Sequence, residues 1–531
     1  MALATAHTVS LQGALGHLID VQADVSPGSP GTTLVGRPDV SLNEARDRCR
    51  MAISNTGVQW PGATRRVTIL LAPSDLVKRG THFDLAIALA ILAACGEVSQ
   101  RTLDDTLVIG ELTLTGGLRS VPGVLPMVMA ASRRGFTRVI VPEPQAREAA
   151  MVPGMTVLGM RSLAQVRAEL RGEIVPEAPP VAPMSGSRLI EWRGSRRLTE
   201  HDLSDLKGVV DVKYAMEVAA AGGHHLMLSG PKGSGKTSLA ERLPGILPDL
   251  SVEESLELTA IHSLAGALEP GDDLIRRPPF FAPHHDASKA SLLGGGTGRV
   301  RPGEVSRSHC GVLFLDEFPL FRSDVIDALR QPLESGEVTI ARGEESATYP
   351  ARGMVVMACN PCPCGEYSAD LPGNRCNCTQ LQRHHYSRKV TGPVHDRIDI
   401  LRHVLPPTKQ EPSALPGQVP ETSAVVRARV ADARKRQHDR YAGREWRLNS
   451  QVPSAILARE WPLPDAGAAR LEQEVLNGKL SRRGAVRVHR VAWTVADLRG
   501  REAPTVSDVD TAFRLRQGEA LMQSSVVRRA S

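Results

Sequence analysis

Aromatic residues are scarce: phenylalanine, tryptophan and tyrosine make up 3% of the 531 residues. Too few rings are available for a broad platform on which unpaired bases could stack. Long hydrophobic runs are missing as well. The longest, 85–95, falls short of the ~20 apolar residues that a bilayer-crossing helix needs. The first residues carry no basic stretch followed by an apolar one, so no secretory signal is expected. A cytoplasmic location and no membrane partner follow as expectations. Charge is not one-sided either. A net +6 permits nucleic-acid binding without arguing for it. Cysteine is limited to eight residues, four of them between 362 and 378. That usage suits a reducing compartment and a metal site better than a disulfide framework. Internal repeats and low-complexity tracts are absent from the sequence, and its length predicts two to four domains.

What is present is more specific. Gly230-Pro231-Lys232-Gly233-Ser234-Gly235-Lys236-Thr237 is a complete G-x-x-x-x-G-K-[ST] phosphate loop. The apolar run Leu226-Met227-Leu228 precedes it, and a helix-compatible stretch beginning at Ser238 follows. In that context the glycines let backbone N–H groups close on phosphate oxygens, and the helix start adds positive potential. Lys236 is expected to reach the β- and γ-phosphates of ATP, and Thr237 to hold Mg²⁺. About eighty residues on, Gly311-Val312-Leu313-Phe314-Leu315-Asp316-Glu317 reads as a buried parallel strand ending in two carboxylates. Asp316 is expected to hold Mg²⁺ through water and Glu317 to polarise the attacking water. Together the two motifs predict nucleoside triphosphate hydrolysis by a P-loop domain.

The rest of the chain is organised around this unit. Ile19, Val21, Ala23 and Val25 alternate with polar residues, as in a half-buried strand. Strands are also expected at 67–71 and 138–141, an apolar helix at 83–95, and a hairpin over 107–121 turning at Gly116-Gly117. The expected division is an α+β domain over 1–171, a proline-rich linker over 172–190 and the ATPase core over 191–405. A second linker over 406–422 leads to a helical lid domain over 423–531. The lid holds an arginine-rich stretch: Arg427, Arg429, Arg434, Lys435, Arg436, Arg440, Arg444 and Arg447. Such runs are most often solvated helix faces, the alternative being a nucleic-acid contact.

In this order the motifs resemble the magnesium-chelatase-like AAA+ ATPases of the ComM (YifB) type, over nearly the whole chain. The resemblance rests on Val35-Gly36-Arg37-Pro38-Asp39, Leu71-Ala72-Pro73-Ser74-Asp75 and Gly110-Glu111-Leu112 in the first domain. In the second it rests on Ala282-Pro283-His284-His285, Arg301-Pro302-Gly303-Glu304 and Leu329-Arg330-Gln331-Pro332-Leu333-Glu334. The blocks Asn360-Pro361-Cys362-Pro363-Cys364-Gly365 and Gly392-Pro393-Val394-His395-Asp396-Arg397-Ile398-Asp399 complete it. The implied fold class is α/β: an AAA+ P-loop domain with a helical lid, preceded by an α+β Lon-protease-like domain of the ribosomal S5 domain 2 type. The implied roles are sensor 1 for Asn360, arginine finger for Arg397 and sensor 2 for Arg483 in Ser481-Arg482-Arg483-Gly484. Physically, Asn360 could equally open a turn before Pro361, and Arg397 could bridge to Asp396 or Asp399. Two departures stand out. Lys232 replaces the family's usual proline, putting an extra cation beside the phosphates, and Val209-Val210 replaces the usual Gln-Glu in a segment that borders the adenine.

Two further segments carry chemical expectations. Cys362-x-Cys364 and Cys376-x-Cys378, separated by eleven residues, predict a closed four-thiolate site for a structural Zn²⁺ that leaves the phosphate contacts alone; free thiols are the alternative. His384 and His385 are weaker alternative ligands. The Lon-like resemblance aligns the protease's serine with His82 and its lysine with Leu125, so acyl transfer has no evident route. Taken together, the resemblance implies a ring, usually a hexamer, that drives branch migration of DNA in homologous recombination of incoming strands. The partner is then branched or single-stranded DNA, contacted by the loop Gly294-Gly295-Gly296-Thr297-Gly298-Arg299 and Arg301. The alternative is a protein-remodelling or metal-chelatase-type chaperone.

Overall fold

The computed structural model describes residues 3–181, 201–269, 271–296, 300–342, 345–367, 375–391, 394–405 and 420–521. Residues 182–190 of the first linker and 406–419 of the second lie outside these ranges, as does Arg299.

A seven-stranded mixed sheet forms the first unit. Its strands run in the order Gly31–Val35, Arg66–Ala72, Leu15–Ser26, Leu3–Gln12, Thr106–Val108, Arg138–Pro142, Thr156–Met160. The expected alternation holds: Ile19, Val21, Ala23 and Val25 are all buried on one face. On that face they meet the helices Val40–Asn55 and Asp84–Ala94. Residues of opposite parity, such as Val9, Leu107, Val139 and Val141, pack under the helix Val124–Ser132 on the other face. The expected hairpin is smaller than 107–121. Only Glu111–Leu112 and Leu118–Arg119 pair as its arms, because Thr106–Val108 joins the large sheet in parallel with Arg138–Pro142.

The second unit is a five-stranded parallel sheet in the order Phe280–Phe281, Val312–Leu315, Met354–Cys359, Leu226–Ser229, Ile400–His403. Central strands buried on both faces explain the continuous apolar runs that the sequence shows at 226–228 and 312–315. Five helices follow: Ser423–Arg440, Ser454–Glu460, Asp465–Leu476, Arg482–Leu498 and Val506–Gln517. Their apolar faces share one core with the helix Val210–Gly222 of the sheet domain.

Most of the arginine-rich stretch serves this packing. Arg427 donates to the Gly245 carbonyl and Arg434 to that of Ala220. Arg429 pairs with Glu217 and Glu421, Arg440 with Asp497, Arg444 with Glu460, and Arg447 with Glu253. The run is therefore mainly a seam fastening the lid to the core and to itself, not a solvated helix face.

The two sheet units touch directly. Leu256 and Ala260 of the helix Val252–Ala265 enter the cluster that holds Leu125 and Val128. Each large apolar side chain buried there stabilises by about 1.5–3 kcal/mol. Ser263 donates to Glu148 at 2.6 Å, and Arg147 pairs with Asp273 at 2.8 Å. Gly13, at φ +62°, turns so close to the hairpin arm Glu345–Pro350 that a Cβ would lie 2.9 Å from the Thr348 carbonyl.

Candidate nucleotide site

Parallel pairing decides which residues meet. The strand Leu226–Ser229 lies between Met354–Cys359 and Ile400–His403. Its carboxyl end delivers the phosphate loop, and the same end of Met354–Cys359 delivers Asn360. The loop turns through Gly233 and Gly235, at φ +78° and +88°, and enters the helix Lys236–Ala240. The buried Lys236 ammonium donates to the Gly230 carbonyl at 2.8 Å, the Pro231 carbonyl at 2.9 Å and Asn360 Oδ1 at 3.0 Å. Burial lowers its pKa, opposed by Asp316. Thr237 Oγ1 donates to Asp316 Oδ2 at 2.8 Å, so the two groups expected to share Mg²⁺ are neighbours. Oxygen donors of this kind suit a hard cation that keeps part of its water shell.

Glu317 follows in a left-handed conformation, at φ +49°. Such backbone costs a non-glycine residue on the order of 1–3 kcal/mol and persists where the surroundings enforce it. Here its N–H donates to Asp316 Oδ1 at 2.8 Å. His285 Nδ1 lies 3.8 Å from Glu317 Oε2. The doubled histidine after the edge strand was visible in the sequence, but its proximity to Glu317 arises only from the pairing of Phe280–Phe281 with Val312–Leu315. Val209 is also left-handed, at φ +48°, just before Val210–Gly222. A β-branched residue rarely adopts that backbone; it falls in the segment expected to border the adenine.

Arg397 and Arg483 lie elsewhere. Arg397 precedes Ile400–His403 at the amino end of the sheet, where the Asp399 and Ile400 N–H groups both donate to the His225 carbonyl. The phosphate loop leaves the opposite end, about 13 Å away for a four-residue strand. Arg397 donates to Glu334 Oε2 at 2.6 Å, not to Asp396 or Asp399. Arg483, exposed at the start of Arg482–Leu498, lies 3.9 Å from Glu334 Oε1. Glu334 is held below the usual carboxylate range by the Arg397 hydrogen bond. The two arginines expected to act on phosphate thus converge on one carboxylate, away from their own chain's loop.

Beneath them lies a network of titratable groups: His224, His225, Asp399 and Arg487. Burial lowers His224 and His225 to about 4. Burial would raise the Asp399 carboxyl, but Arg487, 3.0 Å away, and the two histidines hold it well below the usual range.

The cysteines come together as expected. The four sulfurs of Cys362, Cys364, Cys376 and Cys378 lie within 4.8 Å of one another. Cys362 is 3.2 Å from Cys364 and 3.6 Å from Cys376. Tetrahedral Zn²⁺ with bonds of ~2.3 Å places its sulfurs ~3.8 Å apart, so the cluster fits one ion. The backbone N–H of Glu366 and the neighbouring Cys362 lower the Cys364 thiol to about 6. One expectation needs correction: the cluster is not separate from the phosphate contacts. The Gly365 carbonyl accepts from the Lys232 N–H at 3.1 Å, and the Cys359 carbonyl accepts from the Gly230 N–H at 3.2 Å. The departure at Lys232 therefore matters for its backbone donor, which a proline would lack.

In the first unit, the aligned protease positions are packed shut. His82 is buried with Nε2 2.9 Å from the Val9 carbonyl. Leu125 is fully buried against the ATPase core.

Comparison with known proteins agrees with this architecture. The family model "Magnesium chelatase, subunit ChlI" matches residues 202–412. "Subunit ChlI of Mg-chelatase" matches 21–145, and "Magnesium chelatase, subunit ChlI C-terminal" matches 420–516. An uncharacterised protein of Mycobacterium tuberculosis is 43% identical, over 97% of this chain and 99% of its own length. The protein YifB of Escherichia coli is 40% identical over 94% of each chain. Competence protein ComM of Haemophilus influenzae is 38% identical over 94% of this chain and 95% of its own.

Proposed function

Since the chain belongs to the magnesium-chelatase-like family of ComM and YifB, we propose that it is an ATP-dependent DNA motor, a branch-migration helicase working as a ring, usually of six. ATP and Mg²⁺ bind at the loop 230–238. Lys236 neutralises phosphate charge, Thr237 and Asp316 hold the cation, and Ser238 extends the N–H cradle. Glu317 orients water for attack and Asn360 fixes the lysine. Arg397 and Arg483 act on the neighbouring subunit's nucleotide. The observation that carries the ring is their shared place on Glu334, at the sheet end opposite the phosphate loop.

For DNA, the support is the likeness to a protein named for competence and the exposed Arg301, paired across from Gly295. The lid arginines lend less, being engaged in packing. The match to magnesium chelatase subunits favours a second reading, a metal-chelatase-type remodelling ATPase. ATPase rate measured with and without branched or single-stranded DNA, with strand displacement in parallel, separates the two. The motor requires stimulation and displacement; ATPase indifferent to every DNA overturns it. At the cysteine cluster we assign one structural Zn²⁺ per chain, with no open position for water.

A further inference from the structure

The thiolate cluster and the phosphate loop are joined through backbone. Cys362, Pro363, Cys364 and Gly365 form a tight turn, in which the Gly365 N–H donates to the Cys362 carbonyl at 3.0 Å. Two of the four thiols sit on that turn, one buried and one exposed. Gly365, buried and at φ +80°, faces the loop so closely that a Cβ would lie 3.1 Å from the Lys232 Cβ and 3.7 Å from the Asn360 side-chain amide carbon. Its carbonyl receives the Lys232 N–H. Asn360, two residues before Cys362, in turn accepts from the Lys236 ammonium. Three features of one short segment therefore touch the loop: the Cys359 carbonyl, the Asn360 amide and the Gly365 carbonyl.

We propose that the metal at Cys362, Cys364, Cys376 and Cys378 sets the affinity of the phosphate loop for nucleotide, with the Gly365 carbonyl and the Lys232 N–H as the link. The inference rests on the metal reading above. An ion binding all four sulfurs fixes the Cys362–Gly365 turn against the strand end, and the turn then holds the loop backbone in its phosphate-binding shape. Without the ion the turn loses its tie to Cys376 and Cys378 and holds the loop less firmly, so more of the loop's ordering falls to the nucleotide itself. Binding free energies are reciprocal, so a bound nucleotide must tighten retention of the metal by the same factor that the metal tightens nucleotide. A backbone hydrogen bond of ordinary net strength corresponds to about two- to tenfold in an equilibrium constant. Loosening the Asn360 contact with it brings the expected factor to about tenfold.

The test uses the full chain, purified without chelator. Metal content is measured first, then the equilibrium Kd for a fluorescent ATP analogue with Mg²⁺, before and after metal removal and again after Zn²⁺ is restored. Zinc release to a chromogenic chelator is followed with and without nucleotide. Weakening of about tenfold on removal, recovery on reloading and slower zinc release under nucleotide are the expected results. A protein that holds no metal and takes up none overturns the zinc assignment itself. A protein that holds zinc but keeps the same Kd, within twofold, after losing it overturns only the coupling. Lys232→Pro removes the N–H donor from the loop. It should keep its zinc while the difference in Kd between loaded and stripped protein shrinks. Gly365→Val, whose side chain would press on Lys232, should weaken nucleotide with zinc retained. Full coupling in Lys232→Pro refutes this link.

Discussion

At the scale of single residues, the site is a set of short polar contacts around one ammonium and two carboxylates. Lys236 donates to two loop carbonyls and to Asn360, contacts that fix its ammonium within the loop. Lys236→Ala should therefore weaken nucleotide binding together with turnover. Glu317 makes no such contact with the loop; its place is set by a left-handed backbone. Glu317→Gln should bind ATP with affinity close to wild type and turn over at least about a hundredfold more slowly, as expected when a water-orienting base is lost. Isotherms and single-turnover rates measured side by side decide it, and wild-type turnover in Glu317→Gln removes the assignment. Much of this was legible in the sequence, because the loop and the Asp-Glu pair are contiguous and end apolar strands. The strain at Glu317 and the nearness of His285 were not, since both depend on how distant strands pair.

At the scale of elements, the seam between the lid and the amino end of the sheet is built on two histidines, His224 buried and His225 half-buried. His224 Nε2 lies 2.7 Å from Thr494 Oγ1, and the His225 ring accepts from the Val355 N–H at 3.1 Å. Asp399, Arg487 and Arg490 are the charged groups around them, and burial outweighs the attraction of Asp399. Neutral when folded and protonated when unfolded below about 6.5, they contribute stability that is full above that pH and falls toward about 4. The expected loss is on the order of a few kcal/mol for the pair. Melting temperatures at pH 7.5 and 5.5 should differ markedly, and His224→Gln, which can still bond Thr494, should narrow the gap. An equal gap in wild type and variant would show that other groups govern it. A second element, the strand pair Gly294–Gly295 and Arg301–Pro302, presents Arg301 to solvent beside a segment that includes Arg299. Neutralising Arg299 and Arg301 should weaken DNA binding and lower its salt slope by about 2, one for each phosphate that no longer meets a cation; an unchanged slope places the DNA elsewhere on the surface. The arginine-rich helix illustrates why composition misled here. Arg429 and Arg434 find partners more than two hundred positions earlier, at Glu217 and Ala220, and no local pattern announces that.

At the scale of the whole molecule, the proposed reading gives each chain a loop for phosphate at one end of the sheet and, at the other, arginines for a neighbour's loop. Mixing Arg397→Ala with Lys236→Ala protein should restore part of the ATPase that each lacks alone, because some interfaces then join an intact loop to an intact arginine. No recovery in assemblies verified to mix would mean that the arginine works within its own chain. The same arrangement governs how copies can be put together. One end of the parallel sheet accepts and the other donates, so the subunit has a head and a tail. A two-fold pair serves both nucleotides only if the two ends of each chain meet the opposite ends of the other across one interface. Successive copies related by a rotation set one loop against one arginine at each interface, closing as a cycle when the rotation divides the circle and winding into a filament when it does not. On the proposed reading, placing the loop and the arginines at opposite ends of five short strands makes a head-to-tail succession of copies the expected assembly.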